Sequence, residues 1–200
     1  MPSRDEILRS LTGAWNLFLD RPDALRYFDI SVEGFWRSFA AILLVAPSYV
    51  VIAAAERTQI LTSAVEQSFD GGAFFLNKVL SVGMDWIAFP FLLALVVGPL
   101  GLSRTYAAFI VARTWGAVLA LLPFVAIGLL YLGGILSAEA FNVISMVILI
   151  VVIRYSYLIA RRALGAEIGM AIAIVLSDLS ISILIMGLFG ALLPYTSAVS

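Results

Sequence analysis

The chain has 200 residues, of which 62% are hydrophobic and 12% charged, roughly half the charged share of a soluble domain. Its net charge of −1 excludes the concentrated basic surface that a nucleic-acid partner requires. Neither Cys nor His is present. Disulfides, thiolate or imidazole metal sites, the common haem ligands and Cys- or His-based catalysis are therefore excluded within this chain, and no cofactor is expected.

Residues 1–35 hold no apolar run long enough to cross a bilayer and no signal-peptide core directly after the first charges. Ile7, Leu8, Leu11, Trp15, Phe18 and Leu19 instead recur at helical spacing. This predicts an amphipathic helix, either interfacial on the cytoplasmic membrane surface or docked on the cytoplasmic ends of the spans. Arg21-Pro22-Asp23 breaks it, and Asp20 or Asp23 is placed to cap a second short helix.

From Trp36 onward the pattern changes, because a helix crosses the ~30 Å hydrocarbon layer with about 20 apolar residues. Five candidate spans follow: Trp36 to Ala55, Met84 to Leu102, Ala112 to Gly133, Ala140 to Ala160 and Ile168 to Leu193. Pro47, Pro90, Pro99 and Pro123 fall inside them, which membrane helices tolerate, with kinks expected near Pro47, Pro90 and Pro123. The segment from Glu56 to Ser81 reads as the largest external connection, turning at Asp70-Gly71-Gly72, with short interfacial helices at Ile60 to Phe69 and Ala73 to Val82. The expected fold is an all-α polytopic membrane bundle: an interfacial N-terminal segment over residues 1–35, then a five-span domain over residues 36–200.

Of the 12 basic residues, ten lie before or at the start of span one, flank the gap between spans two and three (Arg104 and Arg113) or mark the end of span four, and only Arg57 and Lys78 lie on the opposite side. The positive-inside rule then places the N-terminus in the cytoplasm and the C-terminus outside, with a bacterial inner membrane as the expected location.

Asp178 is the candidate for chemistry, as a proton-relay or ion-site carboxylate, although the expected role is structural: a buried ion pair, or a neutral Asp hydrogen-bonded to Ser, that fixes helix register. It lies about ten residues into span five, ~15 Å deep at the helical rise, where an ionised carboxylate costs roughly 2.5–3.5 kcal/mol unless it faces protein or water. Arg154 on span four is one candidate partner, from its distance to the hairpin turn near Leu164, and Arg113 on span three is the other. Asp85 and Glu139 read as interfacial, near outer span ends. Arg154, Arg161 and Arg162 with Tyr155 and Tyr157 form a basic aromatic end on span four, suited to snorkelling or lipid-phosphate contact. Two rows of small residues, Ala108, Ala112, Gly116, Ala120 and Gly165, Gly169, Ala173, Ser177, permit close helix packing. They suit either parallel packing of spans three and five or docking to another membrane protein or a second copy.

Span number, orientation and the stretch Gly101-Leu102-Ser103-Arg104-Thr105-Tyr106, running through Ala107 and Ala108 to Pro123, resemble the Yip family of small five-span membrane proteins. The resemblance covers about residues 36 to 193 and implies the five-span fold and the cytoplasmic N-terminus. It transfers no functional residue. The expected function is a non-catalytic accessory or assembly subunit, or membrane organiser, acting through helix and lipid contacts. The alternative is a small transporter or proton-coupled carrier using Asp178. No paired catalytic motif lies at membrane depth, so an enzyme is not expected.

Overall fold

The structure, a computed structural model, describes residues 2–63 and 67–198. Residues 64–66 of the expected outer connection and the last two residues of the expected five-span domain lie outside it. Helix α1 is Arg4–Phe18, α2 Val32–Ser38, α3 Ile42–Ser63, α4 Gly71–Val96, α5 Tyr106–Leu132, α6 Ala138–Ala163 and α7 Ile168–Leu192. A single 3-10 turn, Phe39–Ala41, joins α2 to α3, so that span one runs as a unit over Val32–Thr62. The described residues contain five helices long and apolar enough to cross a bilayer. Large apolar side chains such as Ile87, Val143, Ile150 and Leu184 are more than half exposed on their outer faces, an arrangement that only lipid satisfies. The protein is an all-α integral membrane protein with five spans.

Span two departs from the expected boundaries. It begins at Gly71 and ends at Val96, not at Met84 and Leu102, and Pro99 falls in the connection that follows. The Asp70-Gly71-Gly72 signal is a helix start: Asp70 Oδ1 accepts from the Gly72 and Ala73 amides at 2.8 and 3.0 Å, the N-cap geometry that orphan first-turn donors demand. Among the described residues no separate interfacial helix forms, because Ala73 to Val82 are the first turns of α4, Ile60 belongs to α3 and Gln67–Phe69 is a strand. At this end Lys78 Nζ pairs with Glu56 at 2.6 Å, and the short strand β1 (Gln67–Phe69) pairs antiparallel with β2 (Thr196–Ala198). The chain after α7 thus returns to the α3–α4 connection.

The opposite end is closed by the N-terminal segment. Ser3 caps α1, and its hydroxyl accepts from the Glu6 amide at 3.2 Å. The Glu6 carboxylate turns instead to Arg37, which also pairs with Asp29 at 2.6 Å. Ala14 and Leu17 are fully buried in the same core as Ile110 and Ala160, so α1 is docked on α5 and α6. Gly13 faces the segment that follows α1 and lets it fold back closely, since a Cβ there would stand 2.8 Å from Tyr27 Cβ. Leu8, Trp15 and Leu19 remain exposed on the other side of α1. The helix ends at Asp20, whose positive φ of 58° accompanies the Arg21 N to Asn16 O and Asp20 N to Leu17 O bonds of a Schellman closure. That left-handed turn aims Asp20 at Arg162 on α6, 2.8 Å away. Asp23 precedes a single 3-10 turn, Ala24–Tyr27, without donating a side-chain cap.

Candidate functional site

Arg113 lies seven residues into α5, about 10 Å from the helix start, and Asp178 lies ten residues into α7. Their side chains meet in a two-pronged pair, Nε to Oδ2 at 3.1 Å and Nη2 to Oδ1 at 2.8 Å. This fork geometry holds a guanidinium in one orientation. The guanidinium carbon also sits 4.8 Å from the Phe89 ring centroid, close enough for a cation–π contact. Arg113 was counted among residues flanking a gap; it belongs to the interior.

Arg154 is not the partner of Asp178. It is exposed on α6, while its neighbours in the sequence, Tyr155 and Ile159, turn inward to the Gly116 region of α5, where a Cβ would meet Ile159 Cδ1 at 2.8 Å. Adjacent residues on a helix differ by about 100° in direction, so a match in depth alone did not identify the contacting residue.

Asp85 was also misplaced by the sequence reading. Because α4 starts at Gly71, Asp85 lies eleven residues from the Val96 end, at about the depth of Asp178. It accepts a hydrogen bond from the Ser182 hydroxyl on α7 at 2.5 Å. Asp85, Arg113 and Asp178 line one interior pocket of about 130 Å³, together with Tyr49, Trp86 and Tyr155. No group of acids fit to hold a metal ion exists among the described residues. Two carboxylates thus stand near one guanidinium, which forks to Asp178 alone. Glu139, by contrast, is exposed in the first turn of α6, where the helix dipole favours an acid.

The cytoplasm-expected wall of the pocket is tied to the N-terminal helix. Tyr155 Oη donates to the Ala14 carbonyl at 2.7 Å. Thr105 Oγ1 donates to the Leu164 carbonyl at 3.1 Å, joining the α4–α5 and α6–α7 connections at the same end.

The small-residue rows divide. On α5, Ala112 and Gly116 are buried and pack on α6, whereas Ala108 and Ala120 are half-buried. On α7, Ala173 and Ser177 are exposed, and a Cβ at Gly169 would meet nothing within 4 Å; Gly165 lies beyond α6 with φ +64°. Parallel packing of the two rows is absent, because α7 turns its row outward and meets α5 through Asp178.

Sequence reasoning missed Asp85, Tyr49 and Trp86. The one available signal for Asp85 was the N-cap at Asp70, which moves span two outward and carries Asp85 to its middle. No protein-family model matches the chain, and neither a curated protein nor a solved structure matches it.

Proposed function

We propose that the protein is a small proton-coupled carrier of the cytoplasmic membrane, with its N-terminus in the cytoplasm. One observation carries this reading: Asp85, Arg113 and Asp178, from three different spans, converge on a single interior pocket. Asp178 and its fork to Arg113 form a balanced pair. Asp85 is left with a hydroxyl donor alone, and an excess carboxylate at this depth calls for a proton or a bound cation as its counter-charge. A group that exchanges those two occupants is what a proton-coupled carrier needs. The orientation rests on the basic residues: with Arg113 and Arg154 set aside as lying within spans, eight still lie at the end that holds the N-terminus, against Arg57 and Lys78 at the other.

The test is a solute panel (organic cations, amino acids, sugars and carboxylic acids) added to proteoliposomes that hold a pH gradient and an internal pH dye. At least one class should collapse the gradient, and Asp85→Asn should abolish that effect while the protein stays folded. A panel with no Asp85-dependent response overturns the carrier.

A second reading is an accessory or assembly subunit, the role expected of a Yip-like membrane organiser. The outward row Gly169, Ala173 and Ser177 on α7 favours it, since small residues let another helix approach closely in lipid. Native mass spectrometry from nanodiscs tests it through a stoichiometric companion chain that Ala173→Leu removes.

A further inference from the structure

We propose that the interior pocket binds a small organic ammonium, a cation of the size and chemistry of choline or tetramethylammonium. The proposal deepens the carrier reading and rests on the same pocket.

Two features together select this class. The first is charge: Arg113 is already shared between Asp178 and the Phe89 face, which leaves Asp85 as an uncovered carboxylate for a cation. An anionic solute finds no free guanidinium here.

The second is the wall. Tyr49, Trp86, Phe109 and Tyr155 contribute rings to the lining. Aromatic faces attract organic ammonium groups through the ring quadrupole and through their methyl or methylene surface. A bare alkali ion makes little use of such walls, because it needs several oxygen ligands. The volume of about 130 Å³ compares with the roughly 150 Å³ cavity that accommodates benzene in an engineered protein, so a compact cation fits and a sugar does not.

Trp86 belongs to the same wall: its side chain is 7% exposed and it lines the pocket next to Asp85 on α4, so a cation held by the carboxylate also lies near an indole.

The experiment is equilibrium binding of radiolabelled choline to the purified full chain in mild detergent, read by scintillation proximity. Saturable binding is expected, displaced by tetramethylammonium and unaffected by 3,3-dimethyl-1-butanol, the uncharged carbon isostere of choline. Asp85→Asn should weaken it by about tenfold or more, the loss of an opposite charge beside a desolvated cation. If Asp85→Asn does not fold, the split between tetramethylammonium and the uncharged isostere in the unaltered chain decides alone. No saturable binding, equal displacement by the uncharged isostere, or unchanged binding in a folded Asp85→Asn overturns the proposal. The two readings fail separately: choline binding without any solute-driven collapse of a pH gradient removes the carrier and keeps the site. Collapse driven by another solute class without choline binding does the reverse.

Discussion

Arg113 and Asp178 are joined by two hydrogen bonds, at 3.1 and 2.8 Å, across the interface of α5 and α7, and this pairing decides which acid in the pocket is free. With Asp178 committed to a guanidinium, Asp85 on α4 is the carboxylate whose charge has no cationic partner. A structural acid and a working acid thus stand side by side, distinguished by their hydrogen-bond partners.

Asp178→Asn should destabilise the protein strongly. Removing one member of a buried pair costs about 3–5 kcal/mol in soluble proteins, because the surviving charge is stranded. Arg113→Gln added to Asp178→Asn should recover part of that loss, whereas Arg154→Gln added to it should be additive. Thermal unfolding of the three single and two double variants in detergent gives both cycles. Additivity for Arg113 removes the pair.

Docking of α1 depends on two contacts of different kinds. Gly13→Leu should push α1 away from the turn that folds back on it, since a Cβ at this position would stand 2.8 Å from Tyr27 Cβ, and overpacking costs about 1–3 kcal/mol. Tyr155→Phe loses only the bond to the Ala14 carbonyl, worth about 1 kcal/mol. Hydrogen exchange over residues 4–18 should rise in both, more in Gly13→Leu. Unchanged exchange in Gly13→Leu means that α1 is not held where it is described.

The exposed row Leu8, Trp15, Leu19 on α1 predicts contact with the membrane surface. In a variant with Trp15 as the only tryptophan, emission should shift to the blue in bilayers relative to a short-chain detergent and resist aqueous quenchers. Full quenching in bilayers argues that this face meets water.

The link from α1 to α6 should weaken in acid. The Arg162 guanidinium, by its hydrogen bond, holds the Asp20 carboxyl below its ordinary value. A carboxylate lowered on folding contributes stability that is fully present above its unfolded value, about 3.9, and is lost as pH falls through the folded value. Both partners are about two-fifths exposed, at 42% and 40%, so the effect is small. Proteolysis after α1 should therefore be flat from neutral pH down to about 4 and rise below it, and Asp20→Gly should keep the turn while abolishing that rise. A rise beginning near pH 6 contradicts the assignment to Asp20.

Because the chain contains no Cys, single-cysteine labelling tests the topology without background. Ser103→Cys, between α4 and α5, and Ser137→Cys, at the start of α6, should react from opposite sides of the membrane, Ser103 from the cytoplasm. Labelling of both from one side refutes the alternation of spans.

Five spans and the end at which each connection lies were legible in the sequence, because burial in lipid selects on composition over about 20 residues and composition can be summed along the chain. Asp178 was legible for the same reason: one charge in an apolar run stands out wherever the helix is. The partner was not, because Arg154 and Arg113 both satisfy the depth condition and only helix azimuth separates them. Azimuth is set by packing, here by Gly116 drawing Tyr155 and Ile159 inward and turning Arg154 out. Asp85 required the start of α4, which a two-hydrogen-bond cap at Asp70 fixes and a hydropathy run does not. The tertiary structure alone brought Asp85, Arg113 and Asp178 to one pocket, since that coincidence depends on three helices meeting at a common depth and angle, and no local pattern encodes it.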